Sequence, residues 1–136
     1  MFVSRRKFLG LSMVMAPAWS QGQVKPALRY LQPGDAGYED ARKPFNSTIL
    51  LKPSRIACCR TEADVIAAVR HAEEAGLPIA VKSGGHDFHG FSLNEGGLLI
   101  ELSGMADREL DPKTNHFTSG PGLKLKDCYS KLLPNG

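Results

Sequence analysis

The pattern of apolar and polar positions is clearest between residues 61 and 78, where it has the period of a helix. The run Thr61-Glu62-Ala63-Asp64 has the composition of a capped helix start, and Gly76 followed by Pro78 is typical of a helix end. Between them, apolar residues recur on one helical face at Val65, Ile66, Val69 and Ala72. The pattern predicts an amphipathic helix.

Short apolar runs on both sides of this helix predict strands. Residues 55–59 precede the helix, residues 79–81 follow it, and residues 98–102 come after a polar, glycine-rich loop. Because Ile79-Ala80-Val81 is wholly apolar, we expect both faces of that strand to be covered.

The pattern changes again from residue 108 onward. Residues 108–110 and 116–119 predict a hairpin, and a final helix has one apolar face, formed by Leu125, Cys128, Tyr129, Leu132 and Leu133. No later element follows to bury that face. Either the helix packs back on the small sheet, or the chain is the front part of something longer.

This order of elements predicts an α+β (α/β) unit over residues 48–136, with a small mixed sheet and flanking helices. Residues 21–47 are rich in Gly, Pro, Asp and Asn and show no sustained period. We predict that they form an extended lead-in.

Composition excludes a disordered or collagen-like chain, since 42% of the residues are hydrophobic and 23% are charged. The net charge of +3 belongs to the N-terminus, where Arg5, Arg6 and Lys7 stand among twenty residues without an acid. Without these three cations, the bases equal the acids at 14 each. The balance argues against a nucleic-acid partner, which requires a surplus of Lys and Arg on the folded surface.

Residues 1–20 have the three parts of an export signal. The string Ser4-Arg5-Arg6-Lys7-Phe8-Leu9 resembles the twin-arginine signal, and small residues follow an apolar stretch that ends at Trp19. That stretch is about a dozen residues, too short for a membrane-spanning helix of roughly 20. We expect a signal peptide cleaved after Ala18 or Ser20, contact with the export machinery, a periplasmic or secreted protein, and no stable membrane anchor.

The loop after residues 79–81 carries the candidate chemistry. Two adjacent glycines can adopt positive φ, and successive N–H groups in such a turn form a nest for an anion such as a pyrophosphate. Hydroxyls and a lysine add donors, and a histidine projects from the loop as a nucleophile or ligand. The candidate binding residues are Lys82, Ser83, Gly84, Gly85, His86, Asp87, Gly90 and Ser92.

Three interpretations of this loop remain open on local composition. It is a glycine-rich connection with two surface histidines, a metal site, or a flavin diphosphate site. The metal site is disfavoured because His86, Asp87 and His89 have no evident fourth partner, and we predict no metal.

Several motifs together resemble one family. They are Tyr38-Glu39-Asp40-Ala41-Arg42, Lys82-Ser83-Gly84-Gly85-His86 with Gly90-x-Ser92, the segment from Gly96 to Met105, and Gly120-Pro121-Gly122. The chain resembles, from about residue 33 to its end, the start of an FAD-linked oxidase of the vanillyl-alcohol oxidase type, nearest to the berberine-bridge-like branch. This resemblance implies the first subdomain of a PCMH-type FAD-binding domain, incomplete at its C-terminus.

The resemblance also implies roles for single residues. The glycine loop would hold the FAD pyrophosphate, and His86 would be bonded covalently to the 8α-methyl group of the isoalloxazine. Lys82 stands where Arg is common, which weakens the case for a bidentate phosphate contact. Asp87 stands where Ser is common, and we expect its side chain to turn away or to accept backbone N–H bonds. We predict no catalytic residue in these 136 residues.

For the parent protein, the resemblance implies an exported FAD-dependent oxidase or dehydrogenase of alcohol or sugar-like substrates, which transfers hydride to flavin N5. Its partners would be a small-molecule substrate and an electron acceptor. We do not expect the 136 residues alone to catalyse this reaction. The alternative is a non-catalytic truncated product with weak or no flavin binding.

Overall fold

A four-stranded mixed sheet organises residues 28–133, the part of the chain that the computed structural model describes. Its strands are β1 (Arg29–Leu31), β2 (Arg55–Cys58), β3 (Ile79–Lys82) and β4 (Leu98–Glu101), in the order β1-β2-β4-β3. Strand β1 runs antiparallel to β2, whereas β2 and β3 both run parallel to β4. The central strand β4 is buried at all four positions.

Helices cover both faces of this sheet. They are α1 (Tyr38–Arg42) and α2 (Glu62–Ala75), and α3 (Leu125–Leu132) follows a separate ribbon of β5 (Arg108–Asp111) and β6 (His116–Ser119). The small mixed sheet with flanking helices that the sequence predicts is confirmed.

Helix α2 begins and ends as predicted. The Thr61 hydroxyl accepts a hydrogen bond from the Asp64 N–H at 3.2 Å, and the Asp64 carboxylate accepts one from the Thr61 N–H at 3.0 Å. Gly76 ends the helix at a φ of 62°, a left-handed conformation that glycine adopts without Cβ strain. Local capping therefore accounts for both ends of α2.

Alternating residues of β2 and β4 supply the core on each side of the sheet. On the side of α1, Tyr38 packs among Ile56 and Leu99. On the side of α2, the buried residues are Ala57, Cys59, Ala68, Ala72, Leu98 and Ile100. Alanines on the inner face of α2 allow the helix to lie close to the sheet.

Strand β3 differs from the prediction that both its faces are covered. It lies at the edge of the sheet, and Ile79 and Val81 are 43% and 51% exposed. Only its other two residues, Ala80 and Lys82, are buried. The apolar run alone does not distinguish a central strand from an edge strand, because strand order depends on pairing that is not local.

The predicted extended lead-in also differs from the structure. Within its described part it contains β1 and α1. Tyr38, the first residue of α1, is buried, and its hydroxyl donates to the Pro53 carbonyl at 2.6 Å. A helix of five residues is too short to produce a sequence period, so this tertiary contact defines it.

The hairpin of β5 and β6 and the helix α3 lie where the sequence predicts them. The apolar face of α3 does not pack back on the sheet, since Leu125, Tyr129 and Leu133 are exposed. None of the helices in residues 28–133 is long and apolar enough to cross a membrane. The predicted signal peptide, residues 1–20, lies outside the described residues.

Candidate functional site

The glycine loop leaves the carboxyl end of β3, beside the point where the parallel strand β4 also ends. Lys82 and Glu101 are paired in the register of the two strands. Ligands of open α/β sheets bind at such an edge. The eight predicted binding residues lie in one continuous segment, residues 82–92, which begins at this edge.

Lys82 points its charge into the protein. The residue is buried, its Nζ donates to the Ala41 carbonyl at 2.7 Å, and the Glu101 carboxylate lies 3.7 Å away. Glu101 in turn accepts hydrogen bonds from the N–H and the hydroxyl of Ser103. These contacts attach the start of the loop to α1 and β4. A direct role of Lys82 toward a cofactor stays a prediction.

The backbone of the loop fits an anion. Gly85 has a φ of 68°, and a Cβ added to Gly84 would meet no atom within 4 Å. Within residues 28–133, the N–H groups of Gly84, Gly85 and His86 have no hydrogen-bond acceptor. The open space lies at Gly84, whereas a Cβ added to the buried Gly85 would meet the Lys82 side chain at 3.0 Å. Successive N–H groups without partners have the donor chemistry that a diphosphate requires.

A cleft of about 650 Å³ opens beside Ser83 and Gly84. Three cationic side chains line it in addition to Lys82: Arg29, Lys43 and Lys124. Asp40 and Glu101 are the acids in its lining, and Glu101 already faces Lys82. The cleft therefore has an excess of positive charge next to Gly84, the first of the three residues whose N–H groups lack partners.

The Asp87 side chain is hydrogen-bonded to the backbone of its own loop. Its carboxylate accepts hydrogen bonds from the N–H groups of His89 and Ser92, each at 3.0 Å. These two backbone donors, with His89 the stronger influence, hold the pKa of the Asp87 carboxyl below its usual value of 3.8. The expectation that this side chain accepts backbone N–H bonds matches these contacts.

We expect the order of this loop to depend on pH through Asp87. A lowered pKa means that the folded loop favours the carboxylate, so the contribution of Asp87 to the order of the loop is complete above the ordinary pKa of 3.8 and is lost as the pH falls through the lower, folded pKa. The protection of the His89 and Ser92 amides from hydrogen exchange, relative to the intrinsic rate at each pH, should fall over that acidic range. In Asp87→Asn this protection should be low at every pH.

Asp111 offers a matched control for this prediction. Its carboxylate accepts the Lys113 N–H at 2.8 Å, and its pKa is lowered chiefly by that bond, but it lies at the tip of the β5–β6 hairpin. Asp111→Asn should leave the exchange of His89 and Ser92 unchanged. If the protection of these two amides changed neither with pH nor in Asp87→Asn, the proposed role of the Asp87 carboxylate in holding the loop would be wrong.

The serines of the loop have different environments. The Ser83 hydroxyl donates to the Pro121 carbonyl and so connects the loop to the Gly120-Pro121-Gly122 turn. The Ser92 hydroxyl is buried and has no hydrogen-bond partner among residues 28–133. Binding of a cofactor by either serine stays a prediction.

His86 lies on the exposed side of the loop and stacks on Phe45, a residue for which the sequence predicts no role. The rings of His86 and Phe45 are 4.0 Å apart between centroids, with 20° between their planes. Phe45 belongs to the segment predicted as an extended lead-in. Its position beside His86 depends on the fold, and no local signal in the sequence indicates it.

His89 and Asp87 do not assemble a metal site with His86. His89 is 78% exposed, and its Nδ1 lies 3.9 Å from an Asp87 oxygen. In the described part of the chain, no three His, Cys, Asp or Glu side chains are grouped so as to hold a metal ion.

Comparison with known proteins gives one matching family. Residues 53–136 match the model of the family described as FAD binding domain. The (R)-6-hydroxynicotine oxidase of Paenarthrobacter nicotinovorans is 32% identical over 125 residues, which are 92% of this chain and 26% of that protein.

Two solved structures resemble the described fold. The 6-hydroxy-D-nicotine oxidase of Arthrobacter nicotinovorans has a TM-score of 0.78 at 30% identity, over 81% of this chain and 24% of that one. A glucooligosaccharide oxidase of Acremonium strictum, described with a 6-S-cysteinyl, 8α-N1-histidyl FAD, has a TM-score of 0.71 at 30% identity, over 80% and 23%. The chain thus spans about a quarter of the length of these relatives.

Proposed function

The chain belongs to the FAD-binding domain family, and from this premise we propose that its parent protein is an FAD-dependent oxidase or dehydrogenase of alcohol or sugar-like substrates. The resemblance to FAD-linked oxidases drawn from the sequence is confirmed by the relatives. The observation that carries the proposal is the group of unpartnered N–H groups at Gly84, Gly85 and His86, beside a cationic cleft.

Several groups among the described residues would hold the cofactor. The three N–H groups and the cations Lys43 and Lys124 would bind the diphosphate, and Asp87 keeps the loop in shape for it. When bound, FAD supplies a hydride acceptor at N5. We propose no catalytic role for residues 28–133, which span about a quarter of the length of these relatives.

The same proposal includes a covalent link between His86 and the flavin. An exposed imidazole lies at the end of the diphosphate loop, and a related sugar oxidase is described with a histidyl FAD. The link is compatible with the loop because the N–H group of His86 can bind the diphosphate, while its ring, stacked on Phe45, makes no hydrogen bond through its nitrogens within residues 28–133.

Anaerobic titration of the full-length, FAD-loaded protein tests the activity. Alcohols, oligosaccharides and cyclic amines are added in turn, and a substrate should bleach the yellow absorption of oxidised flavin, which air then restores if the protein is an oxidase. If dithionite bleaches the flavin but no alcohol or sugar does, the proposed substrate class is wrong.

A truncated, non-catalytic product is the second candidate, and the nucleotide sequence downstream of codon 136 separates the two. An open frame that continues into a second glycine-rich segment favours the enzyme. A stop codon at that point favours the inert product, which should bind FAD weakly or not at all.

Export of the protein is a further part of the proposal and rests on residues 4–9. Replacing Arg5 and Arg6 together by lysine should retain the protein in the cytoplasm, as judged by cell fractionation. Lys7→Arg keeps the charge and the pair, so it should be exported normally. Equal export of the double lysine variant would refute a twin-arginine route.

A further inference from the structure

The orientation of the His86 ring depends on one neighbour in the described structure. Its imidazole makes no side-chain hydrogen bond within residues 28–133, and its ring stacks on Phe45 at 4.0 Å. An exposed histidine without such a contact samples several rotamers, each of which points its ring nitrogens in another direction. The stack therefore selects the plane of the imidazole.

Phe45 is itself fixed to the loop. Its N–H donates to the Gly85 carbonyl at 2.8 Å, and its ring meets Phe88 edge to face at 5.4 Å. The side-chain amide of Asn46 donates to the Phe88 carbonyl at 3.0 Å. The segment 45–46 thus holds the loop on both sides of His86, although Phe45 remains 57% exposed.

The other histidine of the loop provides a contrast. His89 also stacks on an aromatic ring, that of Phe91, at 5.7 Å between centroids. Phe91 is 82% exposed, and within residues 28–133 its ring has no second aromatic ring beside it, whereas the Phe45 ring also contacts Phe88. Two exposed histidines in one loop therefore differ in whether their aromatic partner is held in place.

We propose that Phe45 is a positioning residue, which holds the His86 imidazole in the plane needed for bonding to the flavin; this inference rests on the proposed covalent link. The bond joins an imidazole nitrogen to the 8α carbon. One hydrogen leaves the methyl group and one leaves the imidazole, and dioxygen takes up the two protons and two electrons as hydrogen peroxide. Holding the ring in place removes an entropic cost of bringing nitrogen and carbon together.

The rate of attachment tests the role of Phe45. Full-length apoprotein from a riboflavin-starved host is mixed with FAD in air, and the flavin retained by acid-precipitated protein is followed over time. Phe45→Leu keeps an apolar side chain but loses the stack, so attachment should slow by roughly 2- to 12-fold, the factor that one aromatic pair represents. Phe45→Tyr retains the stack and should restore the rate.

The controls separate this role from general damage to the loop. Phe91→Leu removes the aromatic partner of His89 and should leave the rate unchanged. Phe45 also lines the cationic cleft, so the attachment rates are compared at saturating FAD, where a difference in reversible FAD binding does not affect the rate. The proposal would be overturned if flavin attachment in Phe45→Tyr were as slow as in Phe45→Leu. Equally slow attachment in Phe91→Leu would also overturn it.

Failure of the covalent link and failure of the Phe45 role give different results. A wild-type pellet without flavin overturns the link itself, whatever Phe45 does. A yellow wild-type pellet with an unchanged rate in Phe45→Leu overturns only the role of Phe45. If the Phe45→Leu variant does not fold, the proton NMR shift of the His86 ring in wild-type apoprotein replaces the rate measurement. The stack should move this shift upfield of that of an unstacked histidine. A shift equal to the unstacked value overturns the proposal.

Discussion

His86→Ala is expected to leave acid-precipitated full-length protein colourless, whereas the wild-type pellet stays yellow. The substitution removes the imidazole nitrogen but retains the N–H group of residue 86, so FAD should still bind reversibly and wash out on denaturation. The retained flavin should fall from near one per chain to background. Absorbance of the redissolved pellet and in-gel flavin fluorescence measure it.

His89→Ala is the matched control for this result. His89 lies three positions along the same loop and is more than three-quarters exposed, so its loss should leave the pellet yellow. A white wild-type pellet would show that the covalent link is wrong. Colour lost in His89→Ala and kept in His86→Ala would assign the link to the other histidine.

Gly122→Ala is expected to destabilise the folded protein, because the added methyl group has no space. A Cβ at this position would collide with the Leu102 carbonyl oxygen, while the Gly122 N–H donates to the Met105 carbonyl at 3.0 Å. Leu102 cannot easily retreat, because its own N–H donates to the Lys82 carbonyl at 2.9 Å. We expect a loss of about 1–3 kcal/mol in the free energy of unfolding, measured by urea denaturation.

The effect should extend to the glycine loop. Pro121, next to Gly122, accepts the hydrogen bond of the Ser83 hydroxyl. A backbone shift at residue 122 therefore displaces the residue to which Ser83 of the glycine loop is hydrogen-bonded, and FAD affinity should fall along with stability.

Gly84→Ala is the matched control, since it adds the same methyl group in open space. Its stability should change by no more than about 1 kcal/mol, because a compatible Gly→Ala change acts mainly on the unfolded chain. FAD affinity should nevertheless fall, because the methyl group enters the space beside the unpartnered N–H groups. If Gly122→Ala and Gly84→Ala unfolded at the same urea concentration, the close approach of Gly122 to the Leu102 carbonyl would be contradicted.

Elements with a local signal were predicted correctly, and helix α2 is the best example. The Thr61–Asp64 capping box and the Gly76 end act within a few residues, so the sequence shows them directly. The glycine loop is similar, because its turn requires positive φ at Gly85 and Gly90. By contrast, the five-residue helix α1 is too short to show a period and was missed within the predicted lead-in.

The order of the residues was thus enough to indicate the helix α2 and the turn of the glycine loop, since each depends on interactions between near neighbours. The succession of strands and helices along the chain indicated the fold class, whereas the role of His86 stays a prediction. Only the folded arrangement places β3 at the edge of the sheet, turns Lys82 toward Glu101 and stacks Phe45 on His86. Those features depend on contacts between segments far apart in the chain. Such contacts form when a shared core brings the segments together, and no local pattern encodes them.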